Sequence, residues 1–485
     1  MPAPIIVWFR NDLRLSDNPA LTAAAKQSAE SGAPVLPLFI LENEDGDPWP
    51  LGGASRWWLH HSLERLGEAC AALGSPLLLR RGEAAGVLGA LIRETHTGCV
   101  LWNRRYAPAL TARDSAVEAA LTERGIDVRS FNAGLLAEPW TVEKKSGGPF
   151  KVFTPFWRSV SASLDPPHPT RPPAALTAPK TPVASDRLAD WRLLPTAPDW
   201  AGGLRESWEP GEAAARERLA DFLDGPVAAY PTERDRPDHD GTSAVSPRLA
   251  FGEIGPRQIW HAARHAADAQ PELAGGVEAF LREIGWREFN HHLLHQAPHL
   301  PDRPFNERFA DFPWREDAAG LRAWQRGRTG YPIVDAGMRQ LWRTGWMHNR
   351  VRMIAASFLI KDLLLPWQEG ERWFWDTLVD ADLANNAGNW QWVAGCGADA
   401  APFFRVFNPV LQGEKFDPKG DYVRRHVPEL DRLPARWIHK PWEAPPEVLK
   451  TAGVKLGTDY PHPIVEHDAA RDRALALYRQ RKAKA

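Results

Sequence analysis

The chain has 485 residues, 44% hydrophobic and 25% charged, with a formal net charge of −2. That length exceeds one small core and suits two or three domains of roughly 100–200 residues each. The balanced charge excludes a global field drawing the chain to nucleic acid, so any polyanion site must be a local patch. Cys70, Cys99 and Cys396 are widely spaced and form no CxxC, which argues for a reducing compartment and against a disulfide frame or a zinc site. No apolar run reaches ~18 residues and MPAPIIVWFRND has no signal-type apolar region, so a soluble cytoplasmic protein is expected.

Residues 1–130 alternate strand and helix signals. PIIVWF, PVLPLFIL, PLLLR, GCVLWN and IDVRSF read as strands with helical stretches between them. This βαβ pattern predicts a parallel sheet covered on both faces. In RNDLRLSDNP, Ser16 or Asp17 is placed to cap a helix that begins near Pro19. No GxGxxG follows the first strand, so a dinucleotide site of the usual kind is not supported in this half. Residues 131–205, which include PPHPTRPPAALTAPKTP, are rich in Pro and Ala and read as a long surface connector. From 206 to 485 the pattern is helical, giving an α/β domain (1–130), a linker (131–205) and a larger all-α domain (206–485). Of 23 Trp, most follow residue 206. Packing explains most of them, and a site needing stacking or electron hopping could explain a few.

Four segments of the helical part carry candidate chemistry. In GTSAVSPR (241–248), small hydroxyl residues beside Gly lead into a helix. They could offer N–H and O–H groups to a phosphate, or serve as an ordinary N-cap. In FLREIGWREFN (280–290), Glu283, Trp286, Arg287 and Asn290 share a helical face, and Glu283 and Arg287 have the spacing of a surface ion pair. GWMHNRVRM (345–353) opens an apolar helix with Trp346, Asn349 and Met353 on one face. A buried amide there needs a partner, or it costs on the order of 1–3 kcal/mol. LVDADLANNAGNWQW (378–392) gathers two aspartates, adjacent asparagines and Trp-Gln-Trp. The DxD spacing invites a hard cation, but no EF-hand loop completes it and the surroundings are Arg-rich, so no metal is expected.

These segments belong together. GRTGYPIVDAGMRQLWRTGWMHNRVRM, ANNAGNWQW, FRVFNP and QGEKFDP, with VWFRNDLRLSDNPAL near the start and DYPHPIVEH near the end, resemble the photolyase/cryptochrome family. The likeness spans nearly the whole chain and is greatest to the branch that repairs cyclobutane pyrimidine dimers. It implies a Rossmann-like α/β domain joined by the linker to an all-α domain that binds FAD. Thr242, Ser243, Ala244, Val245 and Ser246 match the family's phosphate-binding positions, with Tyr230 and Arg287 near the cofactor. Arg352 and Asp380 match a pair beside the flavin ring, and Asp382 and Asn386 match ring or ribose contacts. Asn349 matches the residue facing flavin N5, where an amide oxygen can accept from N5–H and favour the electron-rich forms. Plant cryptochromes tend to place Asp there and animal ones Cys.

The resemblance also implies the substrate side. Trp286 and Trp392 match the aromatic walls of a lesion pocket, with Met353 beside them. Glu283 matches a carboxyl that hydrogen-bonds the dimer, as a protonated donor or through water. Arg234 and Arg350 match positions near DNA phosphates. Enzymes for (6-4) photoproducts carry a histidine pair at the positions of Asn349 and Met353, so a cyclobutane dimer is the expected lesion. Trp390, Trp367 and Trp314 match a chain that re-reduces the flavin, with Trp373 and Trp375 as another route. The implied activity is that of a deoxyribodipyrimidine photo-lyase: light-driven electron transfer from reduced FAD to a flipped-out lesion in UV-damaged DNA, by a monomer without an obligate protein partner. A blue-light-sensing cryptochrome and a (6-4) photolyase are the alternatives. A second, antenna chromophore (methenyltetrahydrofolate or 8-hydroxy-5-deazaflavin) is possible. Ala109-Leu110 replace the Asn-Glu pair of one folate mode, and Glu143 matches the Glu of another.

Overall fold

The computed structural model describes residues 2–42, 47–400 and 405–483; Phe404 of FRVFNP lies outside them. The strands β1 (Ile5–Phe9), β2 (Val35–Leu41), β3 (Leu78–Arg81), β4 (Cys99–Asn103) and β5 (Asp127–Phe131) form one parallel sheet in the order β3-β2-β1-β4-β5. These are the five runs read as strands. Every residue of β1 is buried because its alternate side chains enter two different cores. Ile5, Val7 and Phe9 pack with Leu21, Trp57 and Trp58, whereas Ile6 and Trp8 pack with Leu88, Trp102 and Leu121. A sheet covered on both faces therefore shows no polar alternation.

The helix Pro19–Ser31 is capped one residue later than expected. Asn18, not Ser16 or Asp17, accepts the Leu21 N–H through its side chain. The two expected caps serve a longer-range purpose. The Asp17 carboxylate takes Arg257 at 2.8 Å, and the Ser16 N–H donates to Glu212 at 3.1 Å. Both partners lie in the helical part, so these residues fasten the two halves together.

The stretch read as a connector is not entirely irregular. Residues 164–187 hold neither helix nor strand, but Phe153–Ser163 is a helix. Its Phe153, Phe156, Trp157 and Val160 recur at i, i+3, i+4 and i+7 and enter the helical core. Pro155 sits in the first turn, where a missing N–H costs nothing. Gly285 admits the Trp157 ring, since a Cβ there would lie 2.5 Å from a ring carbon.

The helical part packs around two cores. One gathers Phe222, Tyr230, Phe280, Ile284 and Phe289, the other Trp324, Val351, Leu359, Trp367 and Phe374. The helix Leu383–Ala394 spans both, giving Ala384 and Ala387 to the first and Trp390 and Val393 to the second. The Asn349 segment differs from the sequence reading. The helix Pro332–Thr344 stops at Gly345, which has φ 66° and stands where a Cβ would meet Leu204 and Val379 at 2.7 Å. Trp346 and Met347 therefore lie in a link, and the next helix is Asn349–Ser357, capped by His348 Nδ1 accepting from the Arg350 N–H at 3.2 Å. Trp346 does not share a helical face with Asn349.

The carboxyl of Glu253 also joins the two halves. Its Oε1 accepts from Trp58 Nε1 (3.0 Å), Ser62 Oγ (2.5 Å) and Gly211 N (2.7 Å). Burial pushes this carboxyl up to about 7, against the opposing pull of those donors and of Arg248. The folded state therefore retains a proton that the unfolded chain, titrating near 4.5, has lost. Stability should fall as pH rises through this window, by on the order of 3 kcal/mol, and level off above it. Glu253→Gln should flatten this slope in denaturant titrations between pH 5 and 8; an unchanged slope would place the titration elsewhere.

Candidate functional site

A cavity of about 500 Å³ opens at the seam between the two helical cores, within the roughly 300–1,000 Å³ usual for small-molecule sites. Every residue expected at the cofactor or the lesion lines it. Trp367, Trp314 and Glu143 lie elsewhere, as do Trp373 and Trp375 of the other electron route.

Part of the lining is the loop Thr242–Ser246. Arg218, paired with Asp240, donates to the carbonyls of Thr242 (2.7 Å) and Ser243 (3.0 Å). In a trans peptide the N–H opposes the C=O, so the N–H groups of Ser243 and Ala244 turn away from Arg218. Ala244 adopts φ 49°, uncommon for a residue with a side chain. Tyr230 is buried with its ring edge-on to Phe222 at 5.4 Å, and Arg287 donates to Gly134 O at 2.7 Å. The ion pair Glu283–Arg287 suggested by the spacing does not form: Arg287 lies 3.5 Å from Glu288, and Glu283 pairs with Arg234 at 2.5 Å.

Next to this loop the cavity is lined by a buried carboxylate. Asp380 Oδ2 accepts from Arg352 (2.8 Å) and Ser246 Oγ (2.6 Å). Its Oδ1 is buried and receives no donor from the protein. A ligand bearing a ring N–H would satisfy that oxygen, so the donor set suits the expected flavin. Asp382 caps the helix Leu383–Ala394 by accepting the Asn385 N–H at 2.9 Å. Burial raises its carboxyl, but His291 (3.4 Å away), Arg287 and the Asn385 N–H outweigh burial and hold it below the usual carboxylate range. Asn386 is fixed by its own donation to Glu371 O at 2.9 Å. Asn349 is exposed to the cavity rather than buried. The neighbouring His348 is buried, and burial pushes its imidazole down to about 4, which keeps it neutral.

Another part of the lining is aromatic. Trp286 lies flat on Phe153, with centroids 3.8 Å apart and planes 9° apart. Trp392 donates its Nε1–H to Asp399 O at 3.1 Å. Arg350, like Arg234, is already paired: its partner is Asp235 at 2.7 Å, and its guanidinium lies 4.4 Å from the Phe416 ring centroid. Trp390 faces the cavity and is buried against Phe374 (4.9 Å) and Trp324 (6.2 Å). Its ring presses on Gly370, one helical turn from the fully buried Trp367. Trp314 is half-buried against Phe312 at 4.4 Å, and the adjacent Arg315 N–H donates to Leu364 O. Of the other route, Trp373 stacks on exposed Trp342 at 5.8 Å, whereas Trp375 turns to Trp49 and Pro50 beside the sheet domain.

Sequence reasoning missed the apolar lining from Phe280, Leu249, Phe374 and Leu378, and the polar Asn385 and Asn389. The asparagines follow Asp382 at helical spacing, a signal that was available. Glu143 lies apart, exposed at a second cavity of about 430 Å³ with Thr141, Ser159, Ser163 and Asp165. No helix among the described residues is long and apolar enough to cross a membrane.

Comparison with known proteins identifies the family of the chain. Residues 5–174 match the DNA photolyase family, and residues 280–480 match the FAD binding domain of DNA photolyase. A deoxyribodipyrimidine photo-lyase of Agrobacterium fabrum is 55% identical, covering 98% of each chain. Cryptochrome-1 of Arabidopsis thaliana is 41% identical over 96% of this chain and 69% of its own length. The crystal structure of a class III photolyase from Agrobacterium tumefaciens superimposes with a TM-score of 0.95 at 54% identity, covering 100% of this chain and 98% of that one. The chain belongs to the photolyase/cryptochrome family, and its helical half carries that family's FAD-binding domain.

Proposed function

We propose that this protein repairs cyclobutane pyrimidine dimers in DNA under blue light, with reduced FAD held in the seam cavity. The observation that carries the reading is the meeting in one cavity of an unsatisfied buried acceptor at Asp380, the amide of Asn349 and the aromatic pair Trp286 and Trp392. On this reading residues 1–130 gather light, 131–205 connect, and 206–485 hold cofactor and DNA. The Agrobacterium fabrum relative, named as a deoxyribodipyrimidine photo-lyase, lends its activity to the proposal.

The chemistry that bound, reduced FAD supplies is a photoexcited electron for the dimer, returned once the cyclobutane ring has opened. The protein's part is to bind, orient and exclude water. Thr242, Ser243, Ala244, Val245 and Ser246 would hold the phosphates, with Tyr230 and Arg287 at their flank. Asp380, Arg352, Asp382 and Asn386 would hold the ring and ribose. Asn349 would accept from the flavin N5–H, which favours the electron-rich cofactor. The lesion must leave the duplex to reach this cavity, and Trp286 and Trp392 would stack on it, with Met353 alongside. Glu283, ion-paired to Arg234, would turn to the dimer and hydrogen-bond it once that pair opens. Arg234 and Arg350 would exchange their carboxylate partners for DNA phosphates. Trp390 at the cavity, buried Trp367 and half-buried Trp314 would carry electrons inward. Glu143 and the cavity beside it are where an antenna would sit.

Purified protein loaded with reduced FAD should restore dimer-containing DNA under blue light and not in darkness. Absence of repair with FAD content verified would overturn the proposal and favour a sensory role. Trp390→Phe should slow photoreduction at least tenfold while chemically reduced protein repairs normally; loss of repair by that pre-reduced protein would make Trp390 structural. Asn349→Asp replaces the amide by a carboxylate and should change the absorption spectrum reached on illumination. An unchanged spectrum would mean that the side chain does not face the flavin.

A further inference from the structure

After the helix Leu383–Ala394 the chain folds back on itself. The N–H groups of Gly395, Cys396 and Gly397 all donate to Gln391 O, at 3.0, 3.2 and 2.9 Å. Gly397 permits this approach because a Cβ there would lie 2.8 Å from Gln391 C and 2.9 Å from Trp392 N. Two residues on, Asp399 adopts φ 52°, in the left-handed region that residues with side chains seldom enter.

Three hydrogen bonds hold Asp399 there. Its N–H donates to Lys151 O (3.1 Å), its carbonyl accepts from Trp392 Nε1–H (3.1 Å), and its carboxylate accepts from the Phe153 N–H (3.2 Å). Phe153 opens the helix Phe153–Ser163, whose cap residue Val152 supplies no side-chain acceptor. Asp399 therefore satisfies a donor the helix cannot satisfy itself, and places negative charge at the helix's positive end. The Phe153 ring in turn lies flat on Trp286 at 3.8 Å.

We propose that Asp399 is a positioning residue for the lesion pocket. It sets the two aromatic walls, Trp286 and Trp392, at a fixed separation without touching the substrate itself. One wall hangs from its carbonyl by the indole N–H. The other is backed by the residue its carboxylate holds. The separation matters because a gap of about 0.5–1 Å already forfeits a quarter to a half of a contact's dispersion energy. The inference rests on the reading of Trp286 and Trp392 as lesion walls.

The test uses FAD-loaded protein in the dark and compares equilibrium binding to one oligonucleotide with and without a cyclobutane dimer. Asp399→Gly keeps the left-handed backbone and removes the carboxylate. It should lower the ratio of damaged to undamaged affinity about tenfold, the loss expected when stacking on one base weakens. FAD content, affinity for undamaged DNA and its salt slope should stay at wild-type values. Asp399→Asn, whose amide oxygen still accepts the Phe153 N–H, should recover most of the ratio. Unchanged discrimination in the glycine variant overturns the inference. So does failure of that variant to fold, or a parallel fall in FAD content or undamaged-DNA affinity, because each marks a general structural role. Trp392→Ala separates the two layers. If it leaves discrimination intact, the wall reading itself is wrong; if it abolishes discrimination while Asp399→Gly does not, only the inference falls.

Discussion

The site depends on one buried carboxylate. A charge removed from water is costly unless it is paired and hydrogen-bonded. Asp380 meets that demand with Arg352 and Ser246 on a single oxygen. Those partners come from two other segments: the helix that begins at Asn349 and the loop that begins at Thr242. The same requirement therefore ties the proposed phosphate cradle, the Asn349 amide and the Asp382 cap into one frame. The second oxygen is left unsatisfied, which makes the frame complete only with something else in the cavity.

Around this frame the other charges are also matched in pairs. Arg234 with Glu283 and Arg350 with Asp235 are half-exposed ion pairs, the kind that contributes little to stability and exchanges partners readily. Such pairs leave the two arginines neutralised at the rim of the cavity. This accords with a chain whose formal net charge is only −2.

Much of the fold was legible because its signals are local. Five apolar runs gave five strands, and the parallel order follows from βαβ units covered on both faces. Local signals failed where a distant partner decides. Asp17 looks like a cap, but Arg257 claims it and Asn18 caps instead. Glu283 and Arg287 have ion-pair spacing, yet Arg234 and Glu288 take them. Gly345 turned the expected helical face at Trp346 into a link, because Leu204 and Val379 crowd the backbone there. The Phe153 helix was hidden by the proline-rich stretch that follows it. The residues of the site were found through family resemblance rather than periodicity, and Asp399, which acts only through a turn and a remote N–H, carried no sequence signal.

Every residue lining the seam cavity falls between Tyr230 and Val393. The preceding chain reaches it only through struts such as Gly134 O against Arg287 and Phe153 against Trp286. The five-stranded sheet thus contributes no wall to the cavity, and the connector between sheet and helices braces it. The shape of the cavity is thereby set by residues from Tyr230 onward, whatever is altered on the far side of the sheet.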